Sequence, residues 1–581
     1  MAGIAEGRKP TDWNCQHIRN VFRVLGFVLA SAHSFVARNS FGPDCRSYVE
    51  VARAYLRHDW AMAINAYWSP LYSWFLVIVL CITRPTLRSE IPIIHFANLL
   101  VFLACMASFE FFWSRVVRLA SMPGSRSDLS PLPVSALWVL GYAAFIWETA
   151  GSLMALVGPD LCVTAVVFLA AGLLLQFQVA DQPLGTYAWF GAVLGVGYLT
   201  KSVMFPMAFV FLAASLASQP QRKHAARLAL AFTVFLALAI PEGVLLSHAK
   251  GHLTFSDTHK MSVPWSTFGL PVRHWQGQPP GFGVPTHPTR KVYQHPAVYE
   301  FNGPIRASYP PWFDPSYWNE GMHARFDPST IAKHAARNAV RILSYFAVPQ
   351  VWLVGILLLV LTVEPGATAA AVSRCWFLAV SSAAVFCLYA LTFSEYRFMP
   401  AWKILVWAAI LAGLRLTARR ASLPAYRWLA AGVAFIMLAS VANGIRGEYV
   451  EGRHDDATPE YQTAEGLRKM GLRPRDKVGI MGFDNDAIWP YLAGFSVVAE
   501  IDTQDVCDFW KAPAQVQADV LLRFRQAGAT AVVANTGGGM KSTTSSPPAD
   551  YLTCGRPWTG WDRIDGSTNH VYFLPNQDTA K

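Results

Sequence analysis

Twelve apolar stretches recur along the chain, near residues 20–37, 71–83, 91–113, 133–157, 161–180, 186–200, 203–218, 228–247, 340–362, 375–393, 399–414 and 428–445. Most approach the ~20 residues a membrane-crossing helix needs. Together they predict a polytopic α-helical membrane protein. Two long polar intervals interrupt the series, at 248–338 and 448–581. At about 13 residues the 71–83 stretch is too short for an ordinary span, and its placement decides the topology. If it crosses, the loop with Arg115, Arg118 and Arg126 falls outside, against the excess of basic residues on the cytoplasmic side. If it lies along the outer surface, that loop is inside. So then are Arg222-Lys-His-Ala-Ala-Arg227 and the group Arg415, Arg419, Arg420 and Arg427.

The second arrangement suits every basic cluster. It predicts about eleven spans in the inner (plasma) membrane, with a cytoplasmic N-terminus and a periplasmic or extracellular C-terminal domain. The expected parts are an N-terminal membrane part (1–247) with a first outer loop (38–90), an outer loop cap (248–338), further membrane helices (339–447) and a soluble α/β domain (448–581). Asp44, Asp160, Lys201, the cap, Arg397 and the C-terminal domain then share the outer side.

Composition agrees with this division. The chain has 581 residues, 53% hydrophobic and 15% charged, against about 25% charged in soluble domains. Residues 448–581 hold 13 Lys and Arg against 18 Asp and Glu, a net of −5, while the rest holds 35 against 19, a net of +16. A basic membrane part reflects Arg-rich cytoplasmic loops, and no nucleic-acid partner is expected. Arg8, Lys9, Arg19 and Arg23 precede the first apolar run, as in a signal peptide. A retained first helix is expected instead, because Asp44 needs a membrane edge beside it.

The nine cysteines show no C-x-x-C metal spacing. Cys81, Cys105, Cys162, Cys375 and Cys387 lie in or beside apolar helices and read as small core residues. Cys507 and Cys554 either pair, if their domain is outside the cell, or remain buried thiols.

The 248–338 interval is too rich in aromatics for a disordered linker and reads as a folded cap. Tyr299, Glu300, Trp312 and Trp318 mark it either as a sugar-binding surface or as a lid that packs on the membrane part. In the C-terminal region, 477–482, 496–501 and 530–534 read as strands. Residues 486–495 and 515–526 read as helices, the second ended by Gly528. The alternation favours a mostly parallel sheet. The Gly537-Gly-Gly539 run and 542–548 read as a loop, with weak phosphate-binding character because no helix N-terminus follows.

Charges near apolar helices are costly and usually functional. Asp44 lies at the outer end of the first helix, in Phe41-Gly-Pro-Asp-Cys-Arg-Ser-Tyr48, with Tyr48 one helical turn on. Asp160 opens a span in Gly158-Pro-Asp160 and is either a site residue or a helix cap. Lys201 ends the Gly-rich run Gly195-Val-Gly-Tyr-Leu-Thr-Lys201, where it contacts a lipid phosphate or snorkels. Arg397, in Glu395-Tyr-Arg-Phe-Met-Pro400, suits a bidentate phosphate contact, an ion pair with Glu395, or interfacial anchoring. Glu148 should face the protein interior and pair, and Glu110 has Arg115 as its nearest candidate partner.

These four motifs, in this order, resemble those of the GT-C membrane glycosyltransferases, particularly the family of protein O-mannosyltransferases and lipid A aminoarabinose transferases. The likeness covers roughly 20–218 and 390–415. The chain departs from it at Cys45, where an acid is common, and at Trp68-Ser-Pro70, where aminoarabinose transferases carry Glu-Lys-Pro.

The resemblance implies a GT-C-like fold and a hexosyl- or pentosyltransferase using a polyprenyl-phosphate sugar. Membrane lipids surround it, and the acceptor is a lipid, glycan or protein. It further implies Asp44 as catalytic base and Asp160 as a second acid that orients the acceptor or, with Asp44, holds a divalent metal ion. Lys201 and Arg397 are implied at the donor phosphate, and Tyr48, Tyr299, Glu300, Trp312 and Trp318 at the acceptor. An O-antigen polymerase or ligase is a neighbouring possibility. A transporter should show internal inverted repeats and broken helices near the midplane; the sequence shows no repeat, and its charges cluster at one surface. A non-catalytic scaffold leaves the four motifs unexplained.

Overall fold

All twelve apolar stretches lie on helices in the computed structural model, which describes residues 15–122, 128–452, 458–535 and 560–575. Among the described residues four helices are long and apolar enough to cross a membrane: Leu87–Ala120, Asp160–Val179, Arg222–Lys250 and Ala425–Val450. The count rises to six if two sharply bent pairs each form one span, and four further apolar helices are shorter. The chain is a polytopic, mostly helical membrane protein.

Two stretches differ from the expected continuous spans. The 340–362 stretch is broken into Pro328–Phe346 and Gln350–Val360 at an angle of 79°. Pro349 stands at the break, where it can donate no backbone hydrogen bond and would clash with the preceding turn. In 133–157 the helix ends at Glu148 and gives way to turns.

The chain divides into two compact units. One comprises 1–38, 94–244 and 332–453, and the other 39–93, 245–331 and 454–581. The first holds most of the apolar helices. Its helix Leu184–Thr200 packs closely through glycine. A Cβ on Gly191 would lie 2.1 Å from the Ala231 carbonyl oxygen, and one on Gly195 would lie 2.7 Å from the Leu238 Cβ. Small residues four apart let membrane helices approach this nearly, and the packing fixes the end of the helix that carries Lys201.

Glu110 corrects one pairing. It accepts hydrogen bonds from Arg19 (2.7 Å), Arg23 (2.5 Å) and Tyr142. Arg115 instead donates to Gln176 (2.9 Å) and to the Phe111 carbonyl (2.7 Å). On its own helix Arg115 is only five residues from Glu110, but a tertiary partner on the first helix outcompetes it.

The second unit is built on a seven-stranded sheet. In chain order its strands are β1 (Thr289–Tyr293), β2 (Val298–Phe301), β3 (Lys477–Met481), β4 (Ser496–Ile501), β5 (Ala531–Ala534), β6 (Asp562–Arg563) and β7 (His570–Phe573). The spatial order is β1-β2-β4-β3-β5-β7-β6. The expected parallel arrangement holds only at the centre, where β3 runs parallel to β4 and β5. All flanking pairs are antiparallel.

The cap and the C-terminal domain therefore share one sheet. The cap's β1–β2 hairpin adds to the domain's edge with Tyr299 opposite Glu500. Helices Trp489–Ala493 and Ala514–Gln526 stand where the sequence places them, and Gly528 ends the second at φ +89°. The 537–539 and 542–548 segments and Cys554 lie outside the described residues. Cys507 is disulfide-bonded, and the other seven described cysteines are free.

The stretch 70–83 also belongs to this second unit. Its helix Pro70–Thr83 packs on helix Pro43–Leu56, with Ser73 donating to the Tyr48 carbonyl at 3.0 Å and Tyr72 edge-on to Tyr48. The same Pro43–Leu56 helix packs on the cap through Val51, Ala54, Ala307 and Phe313, all buried.

Glu460 ties the domain together from helix Thr458–Lys469 by accepting from the amides of Ile488 (3.0 Å) and Trp489 (2.7 Å). Burial pushes its carboxyl up to about 7. The folded state therefore holds a proton that the unfolded state, at an ordinary value near 4.5, has already lost. The stabilisation from this proton is full below about 4.5 and is lost as pH rises through 7. Glu460→Gln keeps the accepting oxygen without the ionisation. The variant is expected to unfold at a less pH-dependent temperature between pH 6 and pH 8 than the parent. Identical slopes in thermal melts would refute this assignment.

Candidate functional site

The helical unit brings three of the expected charged residues to one small pocket. Asp160 is the first residue of Asp160–Val179 and is buried. It does not cap that helix, whose N-cap is Pro159 without a side-chain bond. Its Oδ1 instead pairs with Lys201 Nζ at 2.7 Å. Lys201 sits in extended conformation in the break between Leu184–Thr200 and Met204–Ser218. Its ammonium lies 3.8 Å from the centre of the Phe398 ring.

Arg397 occupies a short helical turn, Tyr396–Phe398, ahead of helix Pro400–Gly413. Its guanidinium pairs with Glu395 at 2.5 Å and lies 5.2 Å from the same Phe398 ring. Asp160, Lys201, Arg397, Tyr389, Phe398 and Trp402 line the pocket. Each cation here has a carboxylate partner, so an incoming anion must compete with Glu395 or Asp160.

A second buried pair supports this pocket from below. Lys403 bonds Glu148 at 2.6 Å, and both side chains are almost fully enclosed. Tyr396 donates to Glu148 (3.1 Å) and accepts from Lys403 (3.3 Å) and Trp147 (3.2 Å). Glu148 thus pairs inside the protein, as a membrane carboxylate should. The network anchors the residue immediately before Arg397. Lys403 and Tyr396 were not among the expected site residues. The available signal was a lone lysine within the apolar run 399–414.

In the other unit Asp44 is the second residue of helix Pro43–Leu56 and is partly exposed. An acid in the first turn suits the helix dipole. The helix beneath it is held rigidly. Arg46 is fully buried and donates to the carbonyls of Ala487 and Asn485. Arg53 forms a bidentate pair with buried Glu90, which also accepts from Tyr491 at 3.0 Å. Tyr48 is enclosed by Trp68 and Tyr72 and serves packing; it offers little face to an acceptor.

The cap aromatics divide in the same way. Trp318 is buried against Tyr309, Trp312 and His274. Tyr299 stacks on His274 at 4.1 Å. Trp312 is half-buried, between Trp68 and Trp318. Of the expected acceptor residues, Tyr299, Glu300 and Trp312 are half-buried, whereas Tyr48 and Trp318 are buried. Glu300 pairs with Arg290 at 3.0 Å.

Beneath the cap, Glu500 is fully buried and accepts from Tyr309 (2.8 Å) beside His274. Arg273 pairs with Asp484 (2.9 Å) and Asp502 (3.4 Å). Burial and neighbouring Asp484 push the Asp502 carboxyl well up. Burial also acts to raise Asp484, but the hydrogen bond from Asp502 and the Arg273 charge hold it down. Through Arg273, the two carboxyls belong to a network that joins cap to domain.

No protein-family model and no curated protein matches the chain. Among solved structures it is similar to ArnT from Cupriavidus metallidurans. The apo form is 15% identical, covering 89% of this chain and 93% of that one, with a TM-score of 0.44. The form bound to undecaprenyl phosphate is 14% identical, covering 89% and 92%, with the same TM-score. It is also similar to the oligosaccharyltransferase AglB from Archaeoglobus fulgidus, in complex with an inhibitory peptide and a dolichol-phosphate. That protein is 11% identical, covering 90% and 70%, with a TM-score of 0.45. At this distance these proteins assign no residue role, substrate or metal to the chain.

Among the described residues no three His, Cys, Asp or Glu side chains gather as a metal ion requires, and Asp160 is taken up by Lys201. The donor set of these residues does not fit the expected divalent metal ion.

Proposed function

We propose that the chain is a membrane glycosyltransferase that moves a sugar from a polyprenyl-phosphate carrier to an acceptor at the outer face of the membrane. The observation that carries this reading is the pocket of Asp160, Lys201 and Arg397 at the ends of apolar helices. Two cations of different type face one aromatic ring there, beside helices that a polyprenyl tail can lie against.

In the proposed step an acceptor hydroxyl or amine attacks the anomeric carbon. Its bond to that carbon forms as the bond from the carbon to the carrier phosphate oxygen breaks. Asp44 takes the acceptor proton. Lys201 and Arg397 stabilise the charge that develops on the departing polyprenyl phosphate. Displacement at a single carbon inverts its configuration. Asp160 orients Lys201.

The disulfide at Cys507 supports an oxidising, outer location for the C-terminal domain, and the basic clusters support a cytoplasmic location for the loop at 114–130. A phosphatase fused after Lys581 is expected to be active in cells and one fused within 114–130 inactive. The opposite pattern would overturn the orientation.

Donor binding tests the pocket. Lys201→Ala and Arg397→Ala are each expected to weaken binding of undecaprenyl phosphate about 10-fold or more, the range of charge-assisted hydrogen bonds. Arg397→Lys should recover only part of it, because lysine cannot reproduce the planar fork. Parental affinity in both alanine variants would reduce these residues to helix-end anchors.

A further inference from the structure

The second unit contains a cleft of about 1050 Å³ whose polar lining is dominated by cations: Arg53, Arg57, Arg306, Arg468, Arg475 and Lys477. They come from three distant parts of the chain. Arg53 and Arg57 lie at the end of helix Pro43–Leu56, Arg306 on the cap, Arg468 in the last turn of helix Thr458–Lys469, and Arg475 and Lys477 at the start of β3. Arg53 is committed to Glu90, and Arg468 donates to the Ala493 carbonyl at 2.9 Å. The other four, Arg57, Arg306, Arg475 and Lys477, are exposed. Their side chains make no hydrogen bond or ion pair among the described residues.

The acids lining the cleft are, by contrast, engaged. Glu50 accepts from the Ser308 amide at 2.7 Å, Asp59 from the Met62 amide at 3.4 Å, and Glu300 pairs with Arg290 at 3.0 Å. Burial also pushes the Glu50 carboxyl up, which reduces its opposition to an anion. Arg475 holds a left-handed backbone at φ +80°, an unfavourable conformation for a side-chain-bearing residue. Its amide donates to the Gly494 carbonyl at 2.7 Å, fixing the arginine at the cleft wall. Four exposed cations whose side chains are not hydrogen-bonded to an acid, around a cleft of this size, large enough for an oligosaccharide-sized group, focus a positive field into it.

We infer that this cleft binds the anionic part of a glycan, a group bearing phosphates or carboxylates, through Arg57, Arg306, Arg475 and Lys477. The inference rests on the glycosyltransferase reading only in taking that glycan to be the acceptor. Anion binding itself needs neither donor nor turnover, so the two can fail separately.

The test uses the full chain in neutral detergent, titrated with inorganic pyrophosphate by calorimetry at low salt. The parent is expected to bind saturably. The triple variant Arg57→Gln, Arg306→Gln, Lys477→Gln should bind at least ~10-fold more weakly, as the sum of three modest surface charge contacts. Arg475→Gly removes charge while suiting the left-handed backbone and should weaken binding several-fold with the melting temperature maintained. Binding should fade at about 0.5 M salt through screening. No saturable binding by the parent, or parental affinity in both variants, would overturn the proposal. A competition arm then identifies the source. Vesicles containing phosphatidylglycerol that displace pyrophosphate indicate a membrane-borne headgroup. Vesicles that do not displace it indicate a soluble anionic saccharide. The first result would overturn the glycan assignment, and the second keeps the proposal.

Discussion

Replacing Asp44 with asparagine is expected to lower sugar transfer by about 10²–10⁴-fold, the usual contribution of a positioned base. Fold and donor binding should persist. The substitution preserves size and a hydrogen-bonding oxygen, and asparagine is tolerated in a first turn. Asp44 is partly exposed, so no buried charge is orphaned. The loss of favourable interaction with the helix dipole is at most about 1 kcal/mol. The helix beneath it is clamped independently by Arg46 and Arg53, which keeps the position of residue 44 unchanged. Asp160→Asn should behave differently. It breaks the 2.7 Å pair with Lys201, so donor affinity should change together with rate. Comparing the two variants in donor binding and turnover separates proton transfer from positioning.

Replacing Lys403 with methionine is expected to be the most destabilising of these changes. Lys403 and Glu148 are nearly inaccessible, and methionine fits the volume but leaves a carboxylate buried without its cation. Breaking such a pair from one side typically costs about 3–5 kcal/mol. The Tyr396 hydroxyl also loses a partner, so the Arg397 turn should loosen and donor affinity should fall. The double variant Lys403→Met, Glu148→Gln removes both charges and should recover much of the stability. Thermal unfolding in detergent measures both. A single variant as stable as the parent would mean that the pair does not carry the buried network.

Local patterns were the legible part of this chain. Apolar runs marked all twelve helical stretches, because length and hydrophobicity act within one segment. β3, β4 and β5 were equally visible as short β-rich runs between turn residues. The β1–β2 hairpin was not. Thr289–Tyr293 has no apolar alternation, and the hairpin joins the sheet only because β2 pairs with β4, about 200 residues later, which no local signal specifies. The same limit applies to charges. Lys201 and Arg397 stand out singly, but whether each meets a carboxylate depends on the fold. Lys403 escaped notice because its apolar run dominates it. The cations of the cleft are individually unremarkable surface residues, and only the topology gathers them. Aromatic richness in the cap is compatible with either sugar binding or packing, and burial of Trp318 and Tyr309 favours packing for those two.

Transfer of sugar from a polyprenyl phosphate with Asp44 as the base can be measured directly. The most direct measurement incubates the purified full chain with a panel of radiolabelled undecaprenyl-phosphate sugars and a cell-envelope extract as acceptor, and follows release of undecaprenyl phosphate with movement of label to the acceptor. The account predicts that at least one donor is consumed, with inverted configuration at the anomeric carbon of the product, and that Asp44→Asn retains donor binding while turnover falls by about 10²–10⁴-fold. Consumption of a donor at the same rate by the parent and by Asp44→Asn would contradict it.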